Sequence, residues 1–248
     1  MVTGQRHLLN YMVEYVLRKC VSETTFMTER VRSEMKQTEV ADPSKPFPFG
    51  DYWRAWCEQA LERSAPAWPD LVGDLRRLQH AVASTAPPSA VVETVREHIS
   101  QALDALGAHA VANDDQLWGK LLNVPGRGQT LSPPLRLISW SRTEILFETV
   151  FGPFHSGNNS AAHGGAVALA FDDGFGMLAD LDDTTRSRTA SLTIDFRSIT
   201  PINQPVRLHL HADEIDGRKR WLRGELRDGE RLCAEATALY LALRPDQQ

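Results

Sequence analysis

Apolar positions along this chain change their spacing partway through. Near the start, Leu8, Leu9, Met12, Val13, Val16 and Leu17 recur every three or four residues, which is the pattern of a helix with one apolar side. The segment DPSKPFPFG (42–50) ends that pattern, because proline lacks the helical N–H donor and clashes with the preceding turn. Further helices are expected over 52–63, 69–82 and 91–106, with STAPPSA (84–90) as a break. From NVPGRGQTLSPP (123–134), a Gly/Pro-rich linker, the period shortens towards two. Strands are expected over 142–151, 188–199, 205–215, 219–227 and 232–243, with DGR (216–218) and DGE (228–230) as hairpin turns. One or two strands, a buried helix and then an antiparallel meander make an α+β layout. The division follows the change of period: a helical region over 1–122 and a strand-rich domain over 123–248. The helical region has no cluster of His, Cys or paired acids at ligand spacing, so it reads as a cap or oligomerisation region. A membrane-surface helix at the start is the alternative, though its polar face mixes both signs of charge.

The helix expected over 164–180 carries the first sign of chemistry. Val167, Leu169, Ala170, Phe171, Phe175, Met177 and Leu178 cover nearly its whole circumference, so it is buried by its surroundings. Two carboxylates nevertheless stand in the middle, and successive side chains point about 100° apart. Asp173 shares a stripe with Asp180, which suggests the solvent edge. Asp172 lies over Ala168 and beside Gly176 and Ala179, a stripe of small side chains that leaves room for a ligand. Asp172 is therefore the candidate for chemistry. Gly164 and Gly165 open the helix after His163, where the first N–H groups lack intrahelical partners and could polarise a carbonyl. The plainer alternative is a tight turn that needs glycine. On the strand that follows, Leu192, Ile194 and Phe196 alternate with Thr189, Ser191, Thr193, Asp195 and Arg197, giving one apolar and one polar face.

Composition narrows the classes. The chain has 248 residues, 42% hydrophobic and 24% charged, with a net charge of -5, which disfavours a dedicated nucleic-acid binder. Cys20, Cys57 and Cys233 are far apart and suggest neither a disulfide framework nor a zinc site. No stretch has the length of a membrane span, so a cytoplasmic location is expected. His209 and His211 share a strand face, but no third ligand is near in sequence, so they read as exposed strand histidines and no metal is expected.

Taken together, HGGAVALAFDD, TASLTIDFRSITP (189–201), DGRKRW and EATALYLAL resemble the successive motifs of the PaaI-like hotdog thioesterases over about residues 130–245. The resemblance implies a hotdog fold, a curved antiparallel sheet wrapped around one long helix. It also implies hydrolysis of an acyl-CoA thioester to free acid and CoA without a cofactor. Asp172 matches the family's catalytic acid, as general base or nucleophile. Gly164 matches the N–H donor to the thioester carbonyl, with His163 and Gly165 beside it, and Thr189 matches a threonine that helps position water. Asp195, Arg197, Arg218 and Lys219 match positions near the CoA moiety. Where bacterial relatives carry a loop ending in G-x-V, this chain has SGNNSAA (156–162), whose Asn158 is a candidate substrate contact.

Gly164 and Asp172 lie eight residues apart, about 12 Å along a helix. One thioester cannot touch both in a single chain, so a two-fold homodimer, or a dimer of dimers, is expected to share the site. The competing readings are a non-catalytic acyl-CoA-binding protein and a hotdog enoyl-CoA hydratase.

Overall fold

The computed structural model describes residues 51–121, 124–181 and 185–247. The helix expected over 8–17 lies outside them. Four helices are present among the described residues: α1 (Asp51–Arg63), α2 (Trp68–Ala83), α3 (Ser89–Gly107) and α4 (Gly164–Ala179). Proline in the first turn of α2 suits a position whose N–H would be unpaired anyway, and Asp70 there faces the positive end of the helix dipole. Phe47–Ala86 and Val111–Gln248 form one compact unit, and α3 falls in the other. Within α3, Thr94 Oγ1 donates to the Ala90 carbonyl at 3.0 Å and Arg96 pairs with Glu93 at 3.3 Å.

Six strands are present among the described residues: β1 (Arg136–Ser141), β2 (Glu144–Val150), β3 (Ser187–Phe196), β4 (Pro205–Asp216), β5 (Lys219–Asp228) and β6 (Arg231–Ala242). Strands β4, β5 and β6 form the expected meander, whereas β3 pairs with β6 at the far edge and not with β4. The strand expected over 142–151 proves to be the second arm of a hairpin. Its first arm, β1, is mostly exposed, so alternation marked it weakly. The sheet order is β1-β2-β4-β5-β6-β3, and every neighbouring pair is antiparallel. Gly217 and Gly229 take positive φ in the two expected turns, a conformation glycine adopts without steric cost.

Between β2 and β3 the chain crosses one face of the sheet as α4. Phe171 and Phe175 stack at 5.8 Å between ring centroids and are fully buried, each burial contributing roughly 1.5–3 kcal/mol. The sheet admits the helix closely because small residues line it. Ala234, Ala236 and Ala238 face inward on β6, and a Cβ at Gly224 would sit 3.2 Å from the Phe171 ring. Cys233 is buried, as its place among alternating strand residues predicts. No described helix is long and apolar enough to cross a membrane.

Candidate active site

Asp172 sits mid-way along α4 on a side that the sheet does not cover. Of the small-residue stripe read from the sequence, Ala168 and Gly176 are half-buried like Asp172 itself, whereas Ala179 is buried. The Asp172 carboxylate is held from the sheet. Thr189 Oγ1 donates to Oδ1 at 2.8 Å, and the Tyr240 hydroxyl lies 2.8 Å from both Oδ1 and the Asp172 backbone carbonyl. Both side-chain donors meet one oxygen, so Oδ2 stays available to the cleft that Asp172 lines with Gly176, Arg186, Arg188, Thr189 and Tyr240. Burial pushes the Tyr240 phenol well above its usual range and keeps it a donor. Such an arrangement fixes a carboxylate's direction while leaving one oxygen for water or substrate.

Thr189 reaches Asp172 through an irregularity. Strict alternation puts Thr189 on the same face as Asp195 and Arg197. Instead Thr189 pairs with Tyr240 while Ser191 pairs with Leu239, so Ala190 is an extra residue on β3. A bulge of this kind inverts the facing of everything beyond it. Thr189 thereby joins Tyr240 on the inward face, and the expected grouping with Asp195 and Arg197 is corrected. Tyr240 itself was missed. Its signal was a lone hydroxyl on an inward row that otherwise consists of alanines.

The expectation that Asp173 and Asp180 mark a solvent edge is also overturned. Asp173 is ion-paired with Arg127, their side chains only 10% and 17% exposed. Asp180 is buried and accepts from Trp53 Nε1 and from the Ser187 backbone N–H, each at 2.7 Å. Burial pushes both carboxylates upward, offset by Arg127 at Asp173 and mainly by Trp53 at Asp180. The partners come from α1 and from the expected linker, segments whose docking no local pattern announces. Arg127 adopts φ 57°, a left-handed conformation that costs about 1 kcal/mol in a non-glycine residue. Its guanidinium also lies 5.7 Å from the Trp53 ring centroid. The C-terminal half of α4 is therefore walled by α1 and the 125–134 segment, with Trp53 and Arg127 forming part of the cleft's rim.

The remaining candidates separate into two groups. At the N-terminus of α4, the His163 ring Nδ1 accepts from Gly165 N–H at 3.0 Å, so that donor is occupied within the cap. Gly164 lies beneath Phe196 of β3, whose ring would come within 3.2 Å of a Cβ there. Asp195 and Arg197 share that end of β3. Both are exposed, and Arg197 binds Glu235 and lies 3.4 Å from Asp195. At the Asp172 end, exposed Arg218 in the β4–β5 turn and Lys219 at the start of β5 stand together, the turn tied to β6 by the Ala242 N–H to Arg218 carbonyl bond of 2.8 Å. Asn158 is exposed in the loop before α4 and accepts from Ala161 N–H at 3.2 Å. One chain thus brings together Asp172 and Thr189 but leaves Gly164, Asp195 and Arg197 at the opposite end of β3.

That loop is pinned from α2. His80 Nδ1 accepts from Phe154 N–H and His155 Nδ1 from Gly152 N–H, both at 3.2 Å. The rings of His80 and His155 meet edge to face at 5.6 Å. Burial, reinforced by His80 and Arg76, pushes the His155 imidazole down to about 4. The His155 carbonyl in turn accepts from His163 N–H at 2.8 Å, joining the clamp to the cap of α4.

Similar proteins share this architecture. No family model matches the chain. Acyl-coenzyme A thioesterase THEM4 of Bos taurus is 32% identical over 108 residues, 43% of each protein. THEM4 of Xenopus laevis is 32% identical over 106 residues, 42% of this chain and 46% of that one. The chain therefore matches less than half the length of these curated relatives. The crystal structure of a thioesterase superfamily protein superposes with a TM-score of 0.62 at 24% identity, over 72% of this chain and 92% of the other. That likeness shows the hotdog fold expected from the sequence.

Proposed function

We propose that this hotdog-fold chain, related in sequence to acyl-CoA thioesterases, hydrolyses an acyl-CoA thioester to a free acid and CoA. The observation that carries the reading is Asp172 on the uncovered stripe of the central helix, oriented through one oxygen by Thr189 and Tyr240. In the reaction Asp172 Oδ2 takes a proton from water as the water attacks the thioester carbon; alternatively Oδ2 attacks that carbon itself, giving an acyl-aspartyl anhydride that water then hydrolyses to the free acid and the restored carboxylate. The C–S bond breaks, and the CoA thiolate leaves to be protonated. The Gly164 N–H, at the positive end of the α4 dipole, stabilises the oxyanion.

The site is completed by a second copy. Three features of the single chain support this. Gly164 and Asp172 stand about 12 Å apart along α4. The side of the molecule between them is uncovered: Leu169, Leu192 and Ile194 are half-exposed and Phe196 is 57% exposed. β3 is an edge strand whose one sheet neighbour among the described residues is β6, so its other side is open to pairing. A two-fold through the middle of β3 brings each Asp172 end towards the other chain's Gly164 end, and covers the apolar strip. Arg186, Arg188, Arg218 and Lys219 gather cationic groups at the Asp172 end, suited to the phosphates of CoA. Arg197, paired with carboxylates, and Asn158 are weaker contacts in this reading.

The test is release of free thiol from short, medium, long and aromatic acyl-CoAs by the wild-type protein and by Asp172→Asn. Turnover by the wild type that is lost in the variant supports the reading. Tight binding of acyl-CoA without turnover by either protein contradicts it and indicates a binding role. Loss of enoyl absorbance from a trans-2-enoyl-CoA without thiol release indicates a hydratase.

A further inference from the structure

The outer face of the sheet, away from α4, carries a side-chain cluster that the proposed hydrolysis does not use. His209 and His211 stand two residues apart on β4 and point to the same side of the strand, as the period of two requires. Their rings lie 4.1 Å apart between centroids. The third member comes from sheet pairing. Glu144, the first residue of β2, is directly opposite His211 in register, and its Oε1 contacts His209 Nε2. The ligand atoms of all three side chains lie within 4.8 Å of one another.

We propose that Glu144, His209 and His211 bind a divalent first-row transition-metal ion, with zinc as the representative. Two imidazole nitrogens and one carboxylate oxygen form a common three-ligand set for this ion, with a fourth position open to water. Bonds of about 2.0–2.2 Å place ligand atoms roughly 3.4 Å apart, so binding draws no pair together by more than about 1.4 Å. The side chains can make that adjustment because they are not packed in the core: His209 is 36% and Glu144 46% exposed. Their backbones are fixed by the β2–β4 ladder, so the chelate is preorganised in the part that costs most to order.

The electrostatic surroundings fit a cation. Arg223 on β5 faces His211 in register, but its guanidinium is engaged by Asp213 at 2.6 Å. Because the ligands come from two adjacent strands, the ion would cross-link β2 to β4. Hard cations that prefer an all-oxygen shell, such as magnesium and calcium, fit this set poorly.

The experiment uses tag-free full-length protein, stripped with a chelator and titrated with zinc by calorimetry. A parallel cobalt titration is followed by visible absorption. The expected result is one zinc per chain with a raised Tm, a cobalt spectrum of low coordination number, and no response to magnesium. His209→Ala, His211→Ala and Glu144→Gln should each weaken binding by more than roughly tenfold, without altering thiol release by the metal-free protein. Absence of zinc binding by the folded protein overturns the proposal. So does binding that survives in the His209→Ala/His211→Ala double variant, which would place the ion elsewhere. Neither result bears on the proposed hydrolysis, which is read separately.

Discussion

At its C-terminal half, α4 is enclosed by α1 and the 125–134 segment, whereas its N-terminal turn lies beneath the half-exposed ring of Phe196. The enclosed half holds three carboxylates with three different partners. Asp173 has an arginine, Asp180 a tryptophan and a backbone amide, and Asp172 two hydroxyls. The first two partner sets neutralise or saturate a buried acid, which is a structural solution. The third orients a carboxylate and leaves one oxygen for chemistry. The open end offers the helix N-terminus and an apolar edge but no acid of its own on α4. Each end has what the other lacks, which is the physical basis for the proposal that two chains share a site.

Substitutions at the enclosed end should distinguish its chemical acid from its structural ones. Asp172→Asn is expected to reduce thiol release by about 10²–10⁴-fold with little change in urea midpoint. Arg127→Ala should do the reverse first. It leaves Asp173 buried and unpaired and lowers unfolding free energy by about 3–5 kcal/mol. Because Asp173 would then need a proton, the loss should be greater at pH 8 than at pH 5. Removing Asp173 as well should restore much of it. An Arg127→Ala protein as stable as the wild type would show that the 125–134 segment is not fastened there.

The clamp beside the open end responds to acid. The His155 folded value of about 4 lies below the unfolded value near 6.5, so the unfolded state takes up a proton first as pH falls. The stabilisation is full above about 6.5 and is lost as pH drops through 4, on the order of 3 kcal/mol. Protonation at Nδ1 would also cost the bond from Gly152. Unfolding curves from pH 7 to 4 should show this slope, and His155→Gln should flatten it. The smallest effect is expected from Trp53→Phe, which keeps the ring but removes the 2.7 Å donor to Asp180. About 1–3 kcal/mol should be lost. A Trp53→Phe protein with unchanged stability but altered acyl preference would make Trp53 part of the substrate wall alone.

Much of this arrangement was legible in the sequence because it rests on local periodicity. The three helices over 52–63, 69–82 and 91–106, the central helix and strands β3 to β6 all appear close to their expected bounds, although β3 crosses to pair with β6 instead of opening the meander. The prominence of Asp172 followed from the small side chains around it, Ala168 and Gly176. What sequence could not give was long-range. Asp173 and Asp180 looked solvated because Arg127 and Trp53, 46 and 127 residues away, leave no local trace. Thr189 was placed on the wrong face because one extra residue, Ala190, is invisible to an alternating pattern. Tyr240 lay in a recognised motif, yet only register shows that its hydroxyl points at Asp172. Glu144 likewise joins the two strand histidines only through pairing of β2 with β4.

The shared site is tested most directly by mixing two inactive chains. Asp172→Asn and Gly164→Pro, the second lacking the backbone donor, are each expected to be inactive alone. Hybrids refolded together from the two should contain one intact Asp172–Gly164 pair and recover up to about half the wild-type turnover per dimer. Hybrids shown to be folded and dimeric yet inactive would contradict the account, as would a stable monomer that cleaves acyl-CoA at the full rate.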